Sequence, residues 1–395
     1  MLGVINFLTT FPEFDQYGMT LLILAVQGYL FAFLLFGRHR KEHKLSDLFL
    51  ALILIVTCYR STSYIIGFMS WYDAYPTTKI NYFLFNTGVV IGPLIYFYIR
   101  SITQPYLNFG KKHLWHFVPF LFFILLNTGS YIYDVYQPGF NENQNGVSYT
   151  FLFLQPFYWV EVINLISKAT YFYLSIVLFI RFRKHVVQFF SDVYDVQLNW
   201  LRNFLIIYIG LFIFNQILFS IIDPLIKDLR WTDSWWWFFA NALAILYVGI
   251  QGYFTNTAKL HELEVLSDEP EASTSSLSDD NELRDLKTAL TSKMESEKLY
   301  LNPELTLNEL AKAVDINANQ LSSVINNGFD KNFNDFINGY RVNEVKRALQ
   351  DPANAHLSIL GIALDCGFNS KATFNRVFKN VTGTSPSQFT QQLKS

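Results

Sequence analysis

Two patterns of hydrophobic positions share this chain. Between residues 17 and 254 apolar residues come in long blocks, at about 17–36, 45–69, 80–102, 114–133, 157–179, 204–222 and 236–254, with polar residues gathered mainly between them. From residue 282 onward the blocks vanish and apolar residues recur every three or four positions, as in Leu283, Leu286, Leu290 and Met294. A bilayer core of about 30 Å takes about 20 helical residues, so the seven blocks predict seven transmembrane helices. The shorter period predicts amphipathic helices around a water-soluble core. The expected fold is all-α: a seven-transmembrane-helix domain over residues 1–258, a juxtamembrane segment and flexible acidic linker over 259–281, and a soluble helical domain over 282–395. The stripe through Leu283 and Met294 reads either as a core face or as the seam of a homodimer.

Charge orients the blocks. Arg38, Arg40, Lys41 and Lys44 follow the first block, Arg100, Lys111 and Lys112 the third, and Arg181, Arg183, Lys184 and Arg202 the fifth. The opposite loops carry Lys79, Lys227 and Arg230. Cytoplasmic loops hold the excess of Lys and Arg, which puts the N-terminus outside and the C-terminus in the cytoplasm of a multi-pass inner-membrane protein. Trp71, Tyr72, Trp159, Trp231 and Trp235 to Trp237 fall at outer block edges and read as an interfacial belt. Residues 1–17 contain no Lys or Arg to form the basic start of a signal peptide, so no cleavable leader is expected. The Ser- and Asp-rich stretch 267–281 cannot bury a core, and its length spans about 20 Å as a random coil.

Polar groups inside the blocks are the candidates for sensing. Arg60 lies within the second block, and Glu161 and Lys168 lie seven apart in the fifth, on one helical face. Charges at such depth face a bundle interior or water. Two readings stay open: an internal ion pair with packing hydrogen bonds, or the lining of a site for an unidentified small-molecule or lipid signal. His39 with His43 and His113 with His116 have helical spacing, but no carboxylate or Cys joins them, so no metal site is expected. Cys58 and Cys366 fall in different domains and predict no disulfide. No nucleophile set, metal-ligand cluster or Gly-rich phosphate loop appears, so the chain reads as a non-enzyme without a cofactor. Whole-chain composition adds little here, because 395 residues at 51% hydrophobic with net charge -2 average two unlike halves.

The soluble part carries the most specific motifs. Thr306 with Glu309 forms a capping box at the start of a short helix. A second helix over 318–326 turns Leu321, Val324 and Ile325 inward and leaves Asn319, Ser322 and Ser323 outside. A longer helix over 334–350 ends at Asp351-Pro352. Next, Asp365-Cys366-Gly367-Phe368 reads as a helix stop, with Gly367 free to take a left-handed conformation. Asn369 and Ser370 cap a helix over 371–380 with Phe374, Val377 and Phe378 inward. Lys371, Ala372, Thr373, Asn375, Arg376 and Lys379 form its other face, small or basic groups suited to phosphates and base edges.

The pattern of Ala363, Gly367-Phe368, Ser370, Phe374, Arg376, Phe378-Lys379, Gly383, Ser385-Pro386 and Phe389 resembles the C-terminal signature of AraC-type transcription regulators. That resemblance implies two helix-turn-helix units joined by a helix, with recognition helices entering successive major-groove faces of double-stranded promoter DNA about 34 Å apart. It implies contacts from Asn319, Ser322 and Ser323 in the first unit and from Lys371, Ala372, Thr373, Arg376 and the neighbouring Lys379 in the second. Over 317–395 eight basic residues face five acidic ones. A surface so mildly basic predicts weak binding by one copy and favours two or more on a promoter. The expected function is a membrane-embedded transcription regulator that senses an external or intramembrane signal; the rival is a transporter or membrane enzyme with a regulatory DNA-binding tail.

Overall fold

The computed structural model describes residues 16–69, 88–104, 107–137, 158–191, 199–218, 231–255 and 280–394. Among them every regular element is a helix. Trp71, Tyr72, Lys79, Lys227, Arg230 and the linker up to residue 279 lie outside the described residues, as do the side chains of Trp159, Glu161 and Trp231. Two compact units emerge: one comprises Met1–Phe179 with Asn199–Thr257, the other Ile180–Leu198 with Ala258–Ser395.

The first unit holds α1 (Gln16–Glu42), α2 (Leu45–Phe68), α3 (Gly88–Thr103), α4 (Val118–Val135), most of α5 (Tyr158–Phe189), α6 (Asn199–Ile217) and α7 (Trp235–Phe254), one for each apolar block. Among the described residues six stretches are long and apolar enough to cross a bilayer, and α3 is shorter. Length is not what organises this unit. On α1 the buried positions are Gly18, Leu21, Ala25, Gly28, Ala32 and Leu35, a three-four alternation dominated by small residues. Such a stripe lets helices approach closely without a hydrophobic drive between them. The approach is tight at Gly28, where a Cβ would meet Ile245 Cγ2 at 2.5 Å and also Cys58 Sγ. From the other face of α1, Ile23, Leu30 and Phe33 point outward, Phe33 at 74% exposure. Helix α3 is buried all round, from Gly88 through Ile102, apart from half-buried Tyr96 and Arg100. At one end of the unit Arg38 clamps three helices: it donates to both Asp47 carboxylate oxygens at 2.6 and 2.7 Å and to the Tyr253 carbonyl at 2.5 Å.

The second unit contains α8 (Asp280–Glu297), α9 (Leu307–Val314), α10 (Ala318–Phe329), α11 (Phe333–Gln350), α12 (Ile359–Asp365), α13 (Lys371–Thr382) and α14 (Pro386–Lys394). The stripe on α8 packs inward on α9 and α10, with Leu290 and Met294 fully buried, so it is a core face. Local chemistry starts α9 to α13. Thr306 and Glu309 form the capping box, with Glu309 N–H donating to Thr306 Oγ1 and Thr306 N–H to Glu309 Oε2. Asn317, Asn332, Ser358 and Ser370 each accept a backbone N–H three residues on. Each such cap contributes about 1 kcal/mol. Around α12 and α13 the core is Val342, Val345, Ile362, Ala363, Cys366, Phe368, Phe374, Val377 and Phe378. Burial pushes the Cys366 thiol up to about 11.

Several helices run past their hydropathy blocks, α5 the farthest. Helix α5 continues ten residues beyond the end of the fifth block, to Phe189, through Arg181, Arg183 and Lys184. These are good helix formers, and Phe182, Val186, Phe189 and Phe190 carry a buried stripe along the extension.

Candidate nucleic-acid interface

Helix α13 is held by its inward rings: Phe374 lies 5.3 Å from Phe368 and 5.5 Å from Phe378, which in turn lies 5.5 Å from Phe389. That packing fixes which residues face out. Lys371, Ala372, Asn375, Arg376 and Lys379 are exposed. Ala372, Asn375, Arg376 and Lys379 recur at three- and four-residue steps and so line one face. Lys371, Arg376 and Lys379 have no hydrogen-bond or ion-pair partner among the described residues. They are thus open to phosphates or to guanine O6 and N7.

Thr373 departs from the expectation. It is 3% exposed, its N–H donates to Ser370 Oγ at 3.2 Å, and Ser370 Oγ donates to its Oγ1 at 3.0 Å. Four residues before Val377, it lies on the inward face and completes the cap. Asn380 is exposed at the end of the same helix, and nothing in its type separates it from a solvated surface residue.

In the first helix-turn-helix, α10 presents Asn319 and Asn326 exposed and Ser322 and Ser323 half-buried. Asn326 Nδ2 donates to Ser322 Oγ at 3.4 Å and Asn327 Nδ2 to Ser323 Oγ at 3.0 Å. This face is neutral and amide-rich, able to read base edges but not to neutralise phosphates. Arg341, counted among the basic residues of this region, is 1% exposed and serves the core: its Nε donates to the Tyr300 carbonyl at 2.8 Å and its guanidinium to the Asn302 carbonyl at 2.8 Å. The basic surface is smaller than the composition implies.

The sequence-selected polar groups of the first unit partly converge. Arg60 and Lys168 line one cavity of about 50 Å³ with Thr57, Tyr208, Asn215, Trp237 and Asn241, and the Arg60 guanidinium stands 5.7 Å from the Trp237 ring centre. Asn241 donates to the Trp237 carbonyl at 2.8 Å, a helix-internal bond. Glu161 lies on α5 seven residues before Lys168. Among the described residues no cluster of His, Cys, Asp and Glu could hold a metal ion.

Two helix-turn-helix units joined by α11, the second with an exposed basic face, define a DNA-binding domain. Residues 310–392, which include both recognition helices, match the family model described as a helix-turn-helix domain. The melibiose operon regulatory protein of Escherichia coli K12 is 34% identical over 85 residues, which are 22% of this chain and 27% of that protein. An uncharacterized HTH-type transcriptional regulator of Bacillus subtilis, YtdP, is 30% identical over 92 residues, 23% of this chain and 12% of its own. A solved structure from Listeria innocua, of a protein of unknown function, is 26% identical, covers 27% of this chain and 94% of its own, and has a TM-score of 0.24. The C-terminal part of this chain is therefore an AraC-type helix-turn-helix domain. The chain spans about a quarter of the length of the melibiose regulators it matches.

Proposed function

We propose that the chain is a membrane-embedded transcription regulator whose apolar domain, residues 1–258, receives an external or intramembrane signal and whose domain over 282–395 binds promoter DNA from the cytoplasm. The observation that carries the reading is the pairing of two surfaces in one chain. Lys371, Arg376 and Lys379 stand exposed on a recognition helix, while α1, α4 and α5 turn Phe33, Leu125 and Ile166 outward at 74%, 63% and 58% exposure. A face of that apolar character is stable in hydrocarbon and not in water. The excess of Lys and Arg in alternate loops supports an inner-membrane protein with its C-terminus inside. Asn319, Ser322, Ser323, Ala372, Lys371, Arg376 and Lys379 contact DNA in this reading, and the cavity at Arg60 and Lys168 receives the signal. The small basic face favours a homodimer or neighbouring copies on one promoter.

The test is a duplex selected from a random pool by the full chain in lipid nanodiscs. Arg376→Ala should weaken binding to that duplex by roughly 1–3 kcal/mol and relax the preference at one base position. Equal binding by wild type and variant, or no selected duplex at all, would sink the reading.

A further inference from the structure

The end of α5 is built into the DNA-binding unit by hydrogen bonds that converge on Phe190 and Ser191. Phe190 pairs with Thr306 in an antiparallel bridge, and Ser191 N–H donates to the Leu305 carbonyl at 3.2 Å. The Ser191 carbonyl accepts from Asn334 Nδ2 at 2.7 Å and, at 3.4 Å each, from Asn338 Nδ2 and Arg341. The Ser191 hydroxyl accepts from Arg341 at 3.0 Å, and Asn334 also reaches the Phe190 carbonyl at 3.3 Å. Asn334, Asn338 and Arg341 are 7%, 2% and 1% exposed, and their spacing of four and three puts them on one buried face of α11.

Buried amides and a guanidinium on a helix face are costly unless they are hydrogen-bonded. Here the two asparagines find their acceptors on Phe190 and Ser191. The sequence of α11 thus encodes a polar socket for a backbone segment that arrives from a position some 140 residues earlier. The socket joins two parts that DNA binding must hold in register. Leu305 immediately precedes Thr306, the cap of the first helix-turn-helix, while α11 carries the second. Asn338 Oδ1 lacks a partner among the described residues, so the socket is incompletely satisfied, as suits a contact that is to be released.

Helix α5 belongs to the apolar unit as far as Phe179 and to the DNA-binding unit from Ile180. We propose that signals pass to the DNA-binding domain through this continuous helix, and that Phe190 and Ser191 act as a strap holding the two helix-turn-helix units in their DNA-competent arrangement. The proposal deepens the regulator reading and rests on it. It assigns the 259–281 linker the lesser part, that of a passive tether.

The experiment uses the full chain in nanodiscs, with amide hydrogen exchange and affinity for a selected duplex as its two readouts. Ser191→Pro removes the donor to Leu305; the double variant Asn334→Ala with Asn338→Ala empties the socket from the other side; twelve Gly and Ser residues inserted after Ser273 lengthen the linker. The first two should speed exchange over 186–191 and weaken DNA binding about tenfold, with α13 amides still protected. The insertion should change neither. Unprotected amides at Phe190 and Ser191 in the wild type would overturn the proposal. So would released straps with unchanged affinity, or an insertion as damaging as Ser191→Pro. A wild type that binds no duplex would refute the regulator reading and the DNA half of this proposal together, while exchange alone would still decide whether the strap exists.

Discussion

Gly367 shows how one position can be constrained twice. Its φ is +90°, and a Cβ there would meet the Tyr300 carbonyl oxygen at 2.6 Å and Arg341 Nε at 3.0 Å. Backbone oxygen cannot swing aside as a side-chain tip can. Gly367→Ala should therefore cost about 2 kcal/mol or more, the left-handed penalty plus the clash, seen as a lower urea midpoint in pulse proteolysis of the DNA-binding unit. The helix stop was legible in the Asp-Cys-Gly-Phe run; the crowding by Tyr300, distant in sequence, was not. Arg341 repeats the case: its type suits the surface, and the carbonyls of Tyr300 and Asn302, distant in sequence, turn it inward, whereas Thr373 turns inward locally, four residues before Val377 and bonded to its cap Ser370. Glu344 is a third such residue. Lys298 donates to it at 2.6 Å and Tyr300 at 3.2 Å, and these bonds hold its carboxyl below the usual 4.5. A carboxyl depressed in the folded state lends stability that is complete above its unfolded value and lost as pH falls through the folded one. Unfolding of this unit should ease as pH drops below about 4.5, and Glu344→Gln should flatten that slope.

At the scale of elements, water decides what a sequence reveals. In α10 and α13 one face meets water, so Leu321, Val324 and Ile325 or Phe374, Val377 and Phe378 stand out by period, and both helices were legible, α13 with its cap at Ser370, while the Asn317 cap of α10 emerged only in the structure. In α1 both faces are apolar, and hydropathy marks only the length. The packing face is written in residue size instead, as Gly18, Ala25, Gly28 and Ala32, a signal that a hydrophobicity count does not register. Two glycines of α1 separate the cases. A Cβ at Gly28 would collide with Cys58 and Ile245, whereas at Gly37 nothing lies within 4 Å. Gly28→Val should therefore lower the thermal stability of the apolar unit, by about 1–3 kcal/mol as overpacking does, while Gly37→Ala should leave it unchanged or slightly raised; melts followed in nanodiscs would rank the two. The α5 extension escaped the same reading because hydropathy stops where Arg181 begins, although the helix does not.

For the whole molecule, the question is how many copies act together on DNA, and counterion release offers a way to count them. Log affinity falls with log salt with a slope of about -0.9 per phosphate neutralised. With Arg341 buried in the core and α10 bearing only amides and hydroxyls on its outer face, the exposed cations of the second recognition helix are Lys371, Arg376 and Lys379. One copy should then show a slope of roughly -3, and two copies on one promoter a slope of roughly -5 to -6. Lys379→Ala should reduce the slope by about 1 in the first case and by about 2 in the second, since every copy loses the same contact. The ratio of variant effect to total slope is the same in both cases, so only the absolute slope reports the number of copies. A titration of the nanodisc-held chain against its selected duplex between 50 and about 200 mM salt covers the useful range. A slope of roughly -3 that drops by about 1 in Lys379→Ala would establish that a single copy suffices and would remove the argument for pairing.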